Sequence, residues 1–343
     1  MRKLLNTLFV TTPESYLSKD GQNVVVSVKS EEKFRIPIHN IEGIVCFGYM
    51  GASPGLVGLC AEHNVGLSFA SENGWFLGRF TGRVNGNVLL RRKQYRMADN
   101  EKESLEIAKI VISGKMANCR NVLKRVVRDH STAVNITAFE ESVSILNKNL
   151  RSIKMAGNPN ELRGYEGDGA SAYFSVFDQM ILHQKEHFFF KERSRRPPLD
   201  NVNALLSFVY ILLMHEVTTA LETVGLDPYV GFLHRDRPGR QSFALDIMEE
   251  FRPYLADRLV LSLINRKQVN HDGFVKQEPS GILMTDSTRK EVIKAWQKRK
   301  QESIVHPFLN EEVQIGLLPY VQVLLFARFL RGDLDNYPVF IMK

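Results

Sequence analysis

Residues 229–251 read YVGFLHRDRPGRQSFALDIMEEF, and the rest of the chain is best read outward from them. His234 follows an apolar frame of Gly231, Phe232 and Leu233. Arg235, Asp236, Arg237, Pro238, Gly239 and Arg240 then make a basic segment broken by Pro and Gly. From Ser242 an apolar run carries Asp246 and Glu249, three residues apart and so on one face of a helix. A loop before that helix can fold back and bring His234 to the acidic face. Two readings compete. One is a satisfied core histidine beside acids that are solvated or paired with Arg237 or Arg240. The other is a metal site ringed by arginines. Phe243, Ala244, Leu245, Ile247 and Met248 surround the acids, so Asp246 is expected to be buried, which is costly for a carboxylate without a partner.

Length and composition set the frame. At 343 residues, with 44% hydrophobic and 24% charged residues, the chain is globular and long enough for one large domain or two. A formal net charge of +7 fits an anionic partner without requiring one. Cys46, Cys60 and Cys119 are too few and scattered for a disulfide framework or a zinc cluster; buried thiols in a reducing cytoplasm are expected. The longest apolar run, Ala204 to Met214, is too short to span a bilayer and continues into His215 and Glu216, so it reads as a buried helix with no membrane role. Walker, HExxH, GxSxG and dinucleotide motifs are absent.

The fold class is α+β. The first 92 residues carry short strand signals with regular turns: Leu4 to Thr11, Tyr16 to Lys19, Asn23 to Lys29, Phe34 to Ile38, Gly43 to Phe47, Gly66 to Ala70 and Trp75 to Val84, with a helix at Gly55 to His63. This predicts a small β-sandwich over 1–92 and a helical domain over 93–343. Helices are expected at Glu101 to Val127, Thr137 to Ile153, Leu162 to about Phe189, Asp200 to Val224, Ala244 to Asn265, Asp286 to Gln301, and Glu311 to Arg331 with a bend at Pro319. A hairpin is expected in Val269 to Leu283, and an exposed tail from Gly332.

Within the third helix, LRGYEGDGASAYF places Glu166 among Arg163, Tyr165 and Asp168, with Gly167 and Gly169 beside it. Glycines there cost helix stability, which points to close backbone approach, a functional constraint or a plain loop-to-helix junction. The candidate ligands are therefore Glu166, His234, Asp246 and Glu249. Carboxylates suit Mg2+ or Mn2+, a nitrogen ligand favours Mn2+ or a borderline metal, and zinc wants more Cys or His. A carboxylate-rich site beside arginines suits phosphodiester chemistry.

LRGYEGDGASAYF, then GLDPYVGFLHRDRPGRQSFALDIMEEFRP, after a β-rich N-terminal region, resembles the CRISPR-associated adaptation integrase, the endonuclease of spacer acquisition, and within it the form of the compact type I-C systems. The resemblance covers essentially the whole chain. It implies that Glu166, His234 and Glu249 are direct ligands of Mg2+ or Mn2+, with Asp246 beside them as a ligand or behind one. The family's paired acids are usually two aspartates, so Glu249 departs by one methylene. It implies a homodimer formed through the sandwich domain, and two such dimers bridged by a dimer of a small ferredoxin-like adaptation partner in a heterohexamer. The implied reaction is transesterification: the 3′-hydroxyl of a short double-stranded DNA fragment attacks a phosphodiester at a repeat boundary of a CRISPR array. Water in its place gives nuclease activity. Arg163, Arg235, Arg237 and Arg240, nearest the site, become the favoured DNA contacts. The basic stretches 109–128, 191–196 and 289–300 are further candidates, and Tyr165 or Tyr229 could position a strand end. A repair or RNA-processing nuclease without integration, and a non-catalytic DNA-binding subunit, are the competing functions.

Overall fold

The computed structural model describes residues 7–41, 43–48, 50–70, 76–80, 82, 88–277 and 281–342. The chain divides into two compact units, Met1–Gly86 and Asn87–Lys343. Position 92 falls inside the helix Val88–Asp99, whose pattern sequence reading passed over.

The first unit contains β1 (Thr7–Val10), β2 (Ser15–Asp20), β3 (Asn23–Val28), β4 (Glu31–Pro37), β5 (Gly43–Phe47), β6 (Gly51–Ala52), α1 (Pro54–Glu62), β7 (Gly66–Ala70) and β8 (Phe76–Phe80). The strands form two four-stranded sheets, ordered β1-β5-β7-β8 and β4-β3-β2-β6. Asp20 pairs with Asn23 across a tight turn that needs Gly21 at φ 56°, the positive φ that a Cβ disfavours. Val10, Ile44 and Leu67 of one sheet, Leu17, Val24 and Val26 of the other, and Leu56 and Leu59 of α1 share a single core. The start of the expected first strand, the expected turns at 72–74 and 85–87, and both ends of the expected strand 75–84 lie outside the described residues.

The second unit contains α2 (Val88–Asp99), α3 (Glu101–His130), α4 (Ile136–Met155), α5 (Pro159–Ser175), α6 (Asn201–Val224), α7 (Ser242–Glu249), α8 (Arg258–Asn265), the hairpin β9 (Phe274–Gln277) and β10 (Gly281–Met284), α9 (Asp286–Gln301), the pair β11 (Ser303–Val305) and β12 (Glu312–Gln314), and α10 (Leu318–Arg331). Side chains of Asn100, Asn135, Asn158 and Asp200 accept from the free N–H groups of the helices they precede. Gly225, at φ 89°, ends α6. By length and composition α6 could cross a membrane, but 67% of its most apolar window is buried inside the protein. Cys46, Cys60 and Cys119 are buried free thiols.

Four expectations for this unit are corrected. The helix starting near Leu162 stops at Ser175 instead of reaching Phe189. The carboxylate of Asp178 captures the Phe190 N–H at 2.6 Å, and Phe190 packs on Phe174 and Phe177, so the aromatic spacing that mimicked a helix belongs to a chain folded back on itself. The run Ala244 to Asn265 is not one helix: Arg252–Asp257, with Pro253 near its start, is a π-helical turn between α7 and α8. Pro319 does not bend a long helix; it occupies the first turn of α10, where its missing N–H costs nothing, and β12 precedes it. The tail is exposed only at its start, over Gly332, Asp333, Asp335 and Asn336; beyond it Tyr337, Phe340 and Met342 are buried.

Candidate active site

The loop between α6 and α7 is pinned from three sides. Gln94 of α2, fully buried, donates to the carbonyls of Asp227 (2.8 Å) and Val230 (2.9 Å) and accepts from the Asp227 N–H (2.9 Å). Ser104 of α3 donates to the Phe232 carbonyl at 3.0 Å. The Pro228 carbonyl accepts from Phe243 and Ala244, giving the start of α7 its acceptor. Gly231 lies so close to α7 that a Cβ there would stand 2.8 Å from Asp246 Oδ2 and from the Ser242 backbone.

Asp246, with no solvent exposure, organises that loop. Its Oδ2 accepts from the N–H groups of Phe232 (2.6 Å) and Leu233 (3.0 Å), and its Oδ1 from the His234 N–H (3.0 Å) and the His234 Nδ1–H (2.6 Å). With its lone pairs so engaged, the carboxylate is a support for His234 and not a free ligand. It fixes the tautomer, because Nδ1 must carry the proton it donates. Nε2 is then the nitrogen left for a ligand, the arrangement in which a carboxylate orients a metal-binding imidazole.

Glu249 and Glu166 meet at a residue that the sequence did not single out from its neighbours. Lys115 of α3, its side chain only 12% exposed, is ion-paired with Glu166 Oε1 of α5 and lies 3.0 Å from Glu249 Oε2. Arg252 Nη1 holds the other Glu249 oxygen at 2.7 Å. Burial alone would push the Glu249 carboxyl up, but Arg252, then Lys115 and His234, outweigh it and hold the group at about 2. Burial likewise disfavours the Lys115 ammonium, while Glu249 and Glu166 keep its pKa raised. Deeper in, Arg252 lies over the Tyr210 ring at 5.1 Å, and Tyr210 and Tyr173 donate to the buried Asp257 at 2.7 and 3.1 Å.

Glu166 reaches this point because α5 packs tightly on α3. A Cβ at Gly169 would come within 2.3 Å of Met116 Sδ, whereas Gly167 faces open space. The expected close approach thus holds for Gly169 alone.

The predicted residues are therefore gathered into two linked pairs, His234 with Asp246 and Glu166 with Glu249 through Lys115. Among the described residues, no three His, Cys, Asp or Glu side chains already surround one point as a formed metal site. The donor set still fits a hard cation. Two carboxylates from different helices converge on one positive charge, and the buried Glu249 Oε2, though ion-paired, has no aligned hydrogen bond. Glu166, Glu249 and His234 Nε2 are the groups that could hold such an ion.

Arg235 and Arg237 are exposed beside His234, Arg240 is half-buried, and Arg163 is exposed on α5 near Glu166, hydrogen-bonded to Asn160 at 2.5 Å. Several other basic residues serve the interior instead. Arg193 binds Asn203 and Ser207, Arg289 pairs with Asp286, and Lys300 with Glu216. Arg193, Arg289 and Lys300 are thus less available to DNA than their charge implied, whereas Lys191, Arg195, Arg196, Lys290, Lys294 and Lys298 of the same stretches are exposed. Lys115, in the 109–128 stretch, is likewise turned inward, onto Glu166 and Glu249.

Comparison with known proteins settles the family. A model described as CRISPR associated protein Cas1 matches residues 8–298. The chain belongs to the CRISPR-associated Cas1 family. It is 50% identical over 343 residues, covering all of both chains, to a CRISPR-associated endonuclease Cas1 of Chlorobaculum tepidum. Among solved structures it resembles a CAS1 protein from Thermotoga maritima, with 25% identity, TM-score 0.81, and coverage of 95% of this chain and 97% of that one. It also resembles a casposase bound to its integration product, with 22% identity, TM-score 0.83, and coverage of 98% and 94%. The α+β fold is that of the family, and the chain is an endonuclease of it.

Proposed function

We propose that the chain is a Mg2+- or Mn2+-dependent DNA endonuclease and integrase. In this reading it joins the 3′-hydroxyl ends of short double-stranded DNA fragments to a CRISPR repeat array in the cytoplasm, as the type I-C form of the family. The observation that carries the reading is the convergence of Glu166 and Glu249 on one positive charge, beside a histidine whose tautomer Asp246 fixes. Glu166, Glu249 and His234 Nε2 would hold the ion, which when bound would supply Lewis-acid polarisation of the scissile phosphate and a lowered pKa for the attacking hydroxyl. Asp246 keeps His234 aimed, and Arg252 keeps Glu249 ionised and in place. Arg163, Arg235, Arg237 and Arg240 contact backbone phosphates, which makes affinity fall steeply with salt.

The family implies a homodimer through the strand-rich unit, bridged by a small ferredoxin-like partner in a heterohexamer. Exposed Phe34 on the edge strand β4, and Leu77 and Phe80 on the edge strand β8, support an interface there. Integration over cleavage alone draws support from the casposase, a protein of the same fold captured with a joined product.

The test is an assay of a 3′-OH fragment with a supercoiled repeat-array plasmid, with the partner protein present. Fragment covalently joined at a repeat boundary is the expected product. Plasmid cleavage with no joined product would leave a nuclease and overturn the integrase half.

A further inference from the structure

The buried tail is more than a terminus packed on a core. Residues 337–342 cross α3, the junction of α7 with the π-helical turn, and α10, and the anchors on α3 and at the end of α7 lie beside site residues. Asn118 of α3, fully buried, donates to the carbonyls of Glu250 (2.7 Å) and Phe340 (2.8 Å), and its Oδ1 accepts from the Met342 N–H (2.8 Å). One amide thus ties α3, the end of α7 and the tail together. The Glu250 carboxylate accepts from the Tyr337 hydroxyl (2.5 Å), the Phe340 N–H (2.5 Å) and Gln322 (3.1 Å). Phe340 packs against Phe251 and Tyr254. Val339 lies against α3 so closely that a Cβ at Gly114 would come within 2.3 Å of its Cγ2.

Gly114 precedes Lys115, Asn118 lies one turn beyond it, and Glu250 follows Glu249. The contacts of the tail therefore bracket both ends of the Lys115–Glu249 pair. Without them Asn118 and Glu250 would be buried polar groups short of partners, a cost that α3 and α7 could relieve only by moving. We infer that residues 337–342 are a positioning strap of the catalytic centre, setting α3 against α7 so that Glu249 and Lys115 stand where the chemistry needs them. The inference rests on the functional reading above.

The test uses Gly114→Ala in the full chain. Alanine is the better helix former, so α3 itself gains, while the added Cβ pushes Val339 and the strap away. The expected result is a kcat for cation-dependent DNA cleavage lower by about 10–10²-fold, with KM for DNA little changed, the scale of an ångström-sized misplacement. Gly114→Ala combined with Val339→Ala removes the colliding methyls and should restore most of the rate. Should Gly114→Ala fail to fold, Tyr337→Phe, which deletes the hydroxyl on Glu250 and keeps the ring, reads the same link through a lowered kcat. A wild-type rate in the folded single variant, or in Tyr337→Phe, overturns the strap, as does a double variant as slow as Gly114→Ala. A wild-type chain that does not cleave DNA at all overturns the functional reading itself.

Discussion

The His234→Ala chain should bind DNA as the wild type does and cleave it more slowly by about 10³-fold or more, the scale on which groups acting on a transition state are felt. His234 contributes to the fold mainly through its backbone N–H, which donates to Asp246 and survives the substitution. Its ring is 23% exposed, so truncation opens no sealed cavity. What is lost is Nε2, the one nitrogen in the proposed ligand set. Single-turnover cleavage at saturating Mn2+, with DNA affinity measured in parallel, separates the two effects. A variant that cleaves at the wild-type rate removes His234 from the chemistry.

Asp246→Ala should act on stability and activity together. Three backbone N–H groups and the imidazole lose their acceptor inside the protein. Breaking so buried and charged a network costs about 3–5 kcal/mol, read as a drop in the urea midpoint at unchanged slope. Any folded fraction should bind Mn2+ about 10–100-fold more weakly, as when the support of a metal-binding histidine is removed. Asp246→Asn keeps the shape and one acceptor oxygen and should fall between the two. Wild-type stability for Asp246→Ala would mean that the loop is held by Gln94 and Ser104 alone.

The two predictions differ because the two residues were legible in different ways. His234, Asp246 and Glu249 stood out because a short loop and one helix face bring them together, an arrangement fixed by local spacing. That Asp246 would be spent on the loop N–H groups was not visible, since an N–H facing inward leaves no mark in the sequence. Lys115 carried a misleading signal. It sits in a basic row on α3, and only the packing of α5 against α3 through Gly169 turns it toward Glu166. Gln94 and Ser104 lie more than a hundred positions from the loop they hold, and polar residues of their kind are common on helix surfaces. The strands of the first unit other than the two-residue β6, with α3, α4, α6 and α9, followed from periodicity and caps because those segments obey one local rule throughout. Three failures fell where a tertiary contact overruled the period: Asp178 ending α5, the π-helical turn between α7 and α8, and the tail. A run such as NYPVFIM carries no sign of the groove that receives it until Asn118 and Glu250 are seen to face it.

Glu249 is where this chain departs from the paired aspartates of the resemblance, and its setting makes the departure workable. Arg252 fixes one carboxylate oxygen and leaves the other to Lys115, which also pairs with Glu166. Held at about 2, the group stays ionised across the neutral range, so a loss of activity between pH 5 and 7 would have to come from another residue. Its folded pKa is depressed below the ordinary carboxylate value. Its contribution to stability is therefore present above that value and lost as pH falls toward 2.

The most direct test of the central claim, that Glu166, Glu249 and His234 form one cation site, is a Mn2+ titration of the metal-stripped full chain followed by electron paramagnetic resonance. It should be repeated on Glu166→Gln, His234→Ala and Glu249→Gln. The account predicts a tight Mn2+ site in the wild type that each substitution weakens by more than the roughly 10–100-fold typical of a supporting residue, with unfolding midpoints that still report folded chains. Mn2+ binding unchanged in all three variants would contradict it.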